Sequence, residues 1–156
     1  MQVVKTSNNA EETTSLGKQL GQILCGGDVV CLTGDLGAGK TAFAQGVGAA
    51  LSITDYITSP TFTMIQEYSS EQDGHFVKFI HMDLYRLRSI EEAEVIGVSD
   101  YFQPDTICLI EWPEVISAIL PDDRLDIVIE GSGLEVRCLL IKPFGEEWEE
   151  RLGTGF

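Results

Sequence analysis

Gly34-Asp35-Leu36-Gly37-Ala38-Gly39-Lys40-Thr41 satisfies the pattern G-x-x-x-x-G-K-[ST], and its surroundings decide how it is read. Before it, Val29-Val30-Cys31-Leu32-Thr33 is a short apolar run between glycines, the signature of a strand buried on both faces. After it, residues 40–51 read as a helix. A glycine-rich turn from a buried strand into a helix predicts a phosphate loop. Glycines, lacking Cβ, let successive backbone N–H groups turn inward around phosphate oxygens, and the free N–H groups of the following helix add positive potential. Lys40 is then expected to reach the β and γ phosphates, and the Thr41 hydroxyl to ligate magnesium. The pattern alone fits ATP and GTP equally. Guanine is the weaker expectation, because the asparagines of the chain, Asn8 and Asn9, both precede the loop, leaving no Asn-Lys-x-Asp segment.

Outward from the loop, residues 9–24 carry Leu16, Leu20, Ile23 and Leu24 at helical spacing, with Ser7, Asn8 or Asn9 as cap and Gly26-Gly27 as terminator. Downstream, residues 61–68 and 75–82 read as an antiparallel hairpin turning through Ser69-Ser70-Glu71-Gln72-Asp73-Gly74. Ser89 opens a capping box for a short helix over residues 90–96, residues 106–110 form another buried strand, and Pro113 suits the first turn of a further helix. Residues 125–129 and 136–141 read as closing strands around Gly131 and Gly133, and residues 146–152 as an acidic terminal helix. Together these predict one domain over residues 1–156: an α/β, three-layer, P-loop NTPase-like fold with a mixed, partly parallel central sheet.

Composition narrows the setting. A chain of 156 residues buries roughly two thirds of the surface its unfolded form exposes, enough to fold without staples. No apolar run approaches a membrane span, and the N-terminus lacks the features of a secretory signal, so a soluble, cytoplasmic protein without membrane contact is expected. Cys25, Cys31, Cys108 and Cys138 lack a CxxC pair; buried free thiols are favoured over a zinc site or disulfides. Ten Lys and Arg stand against 25 Asp and Glu, a formal charge of −15, and no basic run is present, which disfavours direct tight binding of nucleic acid.

P-loop hydrolases place an acid at the end of a second buried strand, where it holds magnesium or orients an attacking water. Ile107-Cys108-Leu109-Ile110-Glu111 and Phe79-Ile80-His81-Met82-Asp83 both end in this way, so Glu111 and Asp83 are the candidate acids, the alternative being ordinary strand-end carboxylates. Ser59-Pro60-Thr61-Phe62 lies about twenty residues beyond Lys40, where such proteins often carry a mobile loop whose hydroxyl senses the γ-phosphate or metal; a plain Ser-Pro turn is the other reading.

Taken in order, Gly34 to Thr41, Ser59-Pro60-Thr61-Phe62, His81-Met82-Asp83-Leu84-Tyr85-Arg86 and Ile110-Glu111-Trp112-Pro113-Glu114 resemble the TsaE (YjeE) ATPases of bacterial tRNA threonylcarbamoyladenosine synthesis across nearly the whole chain. The resemblance implies ATP and Mg2+ binding, weak intrinsic hydrolysis, and work with TsaB- and TsaD-type partners that transfer threonylcarbamoyl to adenosine 37 of tRNA, with tRNA met only indirectly or weakly. By position it makes Gly34, Asp35, Leu36, Gly37, Ala38, Gly39, Lys40 and Thr41 the nucleotide-binding residues. Thr41 and Glu111 become the metal contacts; Glu111, Asp83 and Thr61 become the catalytic or switch candidates; Ser59, Arg86 and Trp112 fall nearby, Trp112 with a core role as its alternative. Ala42 departs from relatives that often carry a second threonine there. The rival readings are a small-molecule kinase, which normally needs several lid arginines where this sequence offers Arg86 and Arg88, and a nucleotide-gated binding module with negligible turnover.

Overall fold

A computed structural model describes residues 2–72 and 74–156. The chain forms a seven-stranded sheet in the order β1-β7-β6-β2-β5-β4-β3. The strands are β1 (Val3–Ser7), β2 (Val29–Gly34), β3 (Ile65–Gln72), β4 (His75–Asp83), β5 (Thr106–Glu111), β6 (Arg124–Glu130) and β7 (Arg137–Phe144). The central four, β6-β2-β5-β4, are mutually parallel, and antiparallel pairs close both flanks. The helices are α1 (Ala10–Gly21), α2 (Lys40–Ala50), α3 (Ile90–Val95) and α4 (Glu146–Gly155), with 3-10 segments at Val98–Tyr101 and Pro113–Ile119.

Alternation along the buried strands makes the three layers. Val30 and Leu32 of β2 and Ile107 and Leu109 of β5 face one core with Leu20, Phe43 and Trp148 of the helices; Val29, Cys31, Cys108 and Ile110 face the other, under Ala93, Val98 and Ile116. Each such large apolar side chain contributes about 1.5–3 kcal/mol by leaving water. The first layer is unusually close. A Cβ added at Gly17 would sit 2.1 Å from the Phe43 carbonyl oxygen, and one at Gly46 would sit 2.0 Å from that of Thr14, so α1 and α2 meet backbone to backbone.

Several boundaries differ from those expected. The strand β1 is absent from the sequence reading: it is a five-residue edge element whose burial merely alternates, and its pairing with β7 spans almost the whole chain. Helix α1 stops at Gly21 rather than residue 24, and of the three possible caps Asn9 acts, its side chain accepting from the Glu12 amide. The first hairpin strand begins at Ile65, not residue 61, because the Met64 amide returns to the Pro60 carbonyl at 2.7 Å and Met64 takes a positive φ of 65°. Ser69, Ser70, Glu71 and Gln72, expected in the turn, continue β3 instead; Asp73 of that expected turn lies outside the described residues. Pro113 does open a helix, of the 3-10 kind. β7 runs through Pro143, opposite Leu125, beyond the last residue paired with β1.

The consequence for the site lies in register. Asp83 at the end of β4 pairs with Glu111 at the end of β5, and Leu32 of β2, just before the glycine loop, also pairs with Glu111. The loop and both acids therefore leave the sheet at the same carboxyl edge, where open parallel sheets bind ligands.

Candidate functional site

The chain leaves β2 at Gly34 and enters α2 at Lys40 through two left-handed glycines, Gly37 at φ +82° and Gly39 at φ +107°. A side chain at Gly39 would be strained whatever the space, so the residue type follows from the turn. No acidic residue occupies the first turn of α2, which leaves its amino end electropositive.

In front of this loop lies a cleft of about 540 Å³. Its walls include Leu36, Gly37, Gly39, Lys40 and Thr41 from the loop and helix, Ser59 and Thr61 from the Ser-Pro segment, Asp83 and Tyr85 beyond β4, and Glu111 and Trp112 beyond β5. Most of the residues singled out from the sequence thus share one cavity. Gly34, Asp35 and Ala38 complete the loop without lining it. Arg86 stands apart, its guanidinium 4.9 Å from the exposed ring of Phe62.

Glu111 is 2 % exposed and held from two sides. Its Oε1 is 3.8 Å from the Lys40 ammonium, and its Oε2 is 2.6 Å from His81 Nε2. His81 is fully buried, stacked near Phe79, and its Nδ1 has no hydrogen-bond partner among the described residues. One proton lies between Nε2 and Oε2 in that hydrogen bond. Lys40 meanwhile donates to the Gly34 carbonyl and lies 5.1 Å above the Trp112 ring, a cation against an aromatic face. Trp112 reaches that position through a left-handed backbone, φ +56°, an uncommon conformation for a bulky residue and one that clusters at functional sites. Tyr85 packs against the Trp112 ring at 5.0 Å.

The second acid carries the Ser-Pro segment. Thr61 donates from Oγ1 to Asp83 Oδ2 at 3.3 Å, Ser59 and Thr61 hydroxyls are 2.7 Å apart, and Asp83 Oδ1 accepts the Tyr85 amide at 3.0 Å. A chain of hydroxyls therefore ends on a carboxylate at the cleft wall. Hydroxyl and carboxylate oxygens are the donor set that suits a hard divalent cation such as magnesium.

The sequence reading gave no role to His81, although it lies two residues before Asp83 on the same face of β4, a period-two relation that could have paired it with a strand-end acid. It also passed over Tyr85. Both fall inside the motif quoted for its Asp83 and Arg86.

A parallel-stranded α/β domain with a glycine loop at the amino end of a helix and two acids beside it is a P-loop NTPase-like protein. Comparison with known proteins narrows the class. The family model for threonylcarbamoyl adenosine biosynthesis protein TsaE matches residues 7–138. The tRNA threonylcarbamoyladenosine biosynthesis protein TsaE of Bacillus subtilis is 41% identical over 141 residues, 90% of this chain and 85% of that protein. The protein of the same name from Mycobacterium tuberculosis is 36% identical over 130 residues, 80% of this chain and 77% of its own. The crystal structure of Bacillus subtilis YdiB superposes with a TM-score of 0.80 at 35% identity, covering 98% of this chain and 93% of that one. The chain belongs to the TsaE family.

Proposed function

We propose that this protein binds ATP with magnesium in the cleft at residues 34–41, hydrolyses it weakly when alone, and by that turnover supports threonylcarbamoyl modification of tRNA adenosine together with TsaB- and TsaD-type partners. The observation that carries the reading is the convergence of Lys40, Thr41, Asp83 and Glu111 on one cavity at the amino end of α2.

The residues divide the work by their chemistry. Backbone amides of the loop and of the first turn of α2 take the phosphate oxygens, and Lys40 supplies the mobile cation against the terminal phosphates. Thr41 and Glu111 would hold magnesium, with Asp83 beside them; the ion supplies charge neutralisation across the phosphates. Glu111, fixed by His81, orients a water for attack, and the hydroxyls of Thr61 and Ser59 report on the terminal phosphate through Asp83. Trp112 and Tyr85 wall the cleft. The kinase alternative gains no support from Arg86, which stacks on Phe62 rather than entering the cleft.

The test is calorimetric titration with magnesium and ATP, comparing the parental protein with Lys40→Ala. Loss of a charge-assisted contact should weaken binding about ten- to a hundredfold. Unchanged affinity would remove the phosphate-loop assignment.

A further inference from the structure

Behind the phosphate loop, on the side away from the cleft, one side chain joins it to the β6–β7 connection. Arg137, half-buried at the start of β7, donates from Nε to the Ala38 carbonyl at 3.0 Å and from Nη2 to the Gly37 carbonyl at 3.2 Å. The same guanidinium donates from Nη2 to the Gly133 carbonyl at 3.0 Å and from Nη1 to the Glu135 carbonyl. Two carbonyls of the loop and two of the hairpin therefore share one planar cation whose donors sit in a fixed fork.

Peptide geometry gives this contact its meaning. In a trans peptide the C=O and N–H point in opposite directions. Drawing the Ala38 carbonyl toward Arg137 turns the Gly39 N–H away from the hairpin, toward the concave side of the loop. The other captured unit closes the turn, because the Ala38 amide returns to the Asp35 carbonyl at 3.0 Å. The tip is otherwise open: an added Cβ at Gly37 would meet no atom of the described residues within 4 Å, and Asp35, Leu36 and Gly37 are exposed. An exposed glycine-rich segment loses much entropy on ordering, so a contact that orders it beforehand raises ligand affinity.

We infer that Arg137 is a positioning residue: it presets the phosphate loop in its anion-binding conformation and couples that loop to the β6–β7 hairpin. The inference rests on the phosphate-binding reading of residues 34–41. Its partners are neutral carbonyls, so the role lies in the fork and not in the charge alone. Lysine, a single-point donor, keeps the charge and loses the fork.

The experiment compares the parental protein with Arg137→Lys and Arg137→Ala in titrations with magnesium and ATP, alongside thermal unfolding. The Kd should rise about tenfold in both variants at nearly unchanged melting temperature, and in turnover the loss should appear mainly in KM rather than kcat. Parental affinity in the lysine variant would mean that charge suffices and would overturn the inference, as would a loss of affinity that merely tracks a loss of folded protein. A second measurement needs no substitution. Magnesium tripolyphosphate, which has no base or ribose to touch the hairpin, should slow amide hydrogen exchange in residues 131–137 of the parental protein as well as in residues 34–41. Protection confined to the loop would overturn the coupling even if neither variant folds. A parental protein that binds neither ATP nor tripolyphosphate would instead remove the phosphate-binding reading, and this inference with it.

Discussion

Glu111 sits between an ion pair and a hydrogen bond, the Lys40 ammonium 3.8 Å from Oε1 and His81 Nε2 2.6 Å from Oε2 of one buried carboxylate. A glutamine there keeps the shape but lacks the charge to act as a full ligand or water-orienting base. Glu111→Gln should lower turnover by about a hundredfold or more while leaving ATP binding nearly intact, read by phosphate release beside titration. Asp83→Asn should slow turnover too, since Thr61 loses its anionic acceptor. Parental rates in both variants, with partner proteins present, would show that neither acid takes part. The cysteines allow a separate residue-scale check. Burial pushes the thiols of Cys31 and Cys108 up to about 12, whereas Cys25 is exposed, its thiol raised by partial burial and by Asp28 but still open to reagent. A thiolate is the reactive form, so iodoacetamide at mildly alkaline pH should label Cys25 and spare the buried pair until the protein unfolds. The sign for stability follows. Above about pH 9 the unfolded chain sheds these two protons and the folded chain does not, so stability should fall as pH rises from 9 toward 12. A flat alkaline limb in urea unfolding would contradict the burial of both thiols.

At the scale of elements, the glycine loop leads into a helix that packs backbone to backbone on α1. Helix α2 begins with Lys40 and carries Gly46, whose missing side chain admits the Thr14 carbonyl of α1. Gly46→Ala would force the helices apart against backbone that cannot rotate away, costing about 1–3 kcal/mol or more. Thermal unfolding should report that loss, and a melting temperature equal to the parental one would mean that the two backbones do not meet so closely. What the sequence disclosed of these elements follows from where their signals reside. β2, β5 and the start of α2 were legible because buried strands read as apolar runs and the loop pattern is local. β1 was not, since Ser7 is its one buried residue and its partner strand lies at the other end of the chain. Within the site, Lys40, Thr41, Asp83 and Glu111 could be named from residue type and position. Arg137 could not: it addresses backbone carbonyls a hundred residues away, and a carbonyl is the same at every position. The start of the Ser59-Pro60-Thr61-Phe62 loop was legible from Pro60, but its end was not, because the left-handed Met64 that closes it carries no sequence mark of that conformation.

For the whole molecule, charge and its placement decide how it meets RNA. Ten Lys and Arg oppose 25 Asp and Glu, and several of the ten are already occupied inside the fold. Arg151 pairs with Asp28, Arg124 with Asp126, Arg137 with loop carbonyls, Lys5 with the Phe156 carbonyl, and Lys40 with the Gly34 carbonyl beside Glu111. The other five are exposed: Lys78, Arg86 and Arg88 on the β4 side, with Arg86 resting on Phe62, and Lys18 and Lys142 separately on α1 and β7. Affinity for a nucleic-acid backbone grows with the number of phosphates neutralised, because each releases a condensed counterion. So few outward cations on a chain of net charge −15 leave little to release, and long-range repulsion opposes the approach. The lone protein should therefore bind unmodified tRNA no more tightly than the weak non-specific range, about 10 μM or above at physiological salt. Its engagement with the modification machinery should run through protein contacts instead. The exposed apolar residues Leu36 and Tyr85 at the cleft give such contacts a place beside it. The measurement is an anisotropy titration with tRNA across a salt series, set beside a pull-down with TsaB- and TsaD-type proteins in magnesium and ATP. Tight, salt-sensitive tRNA binding by the protein alone would place the RNA contact on this chain, and absence of any association with those partners would remove them from its function.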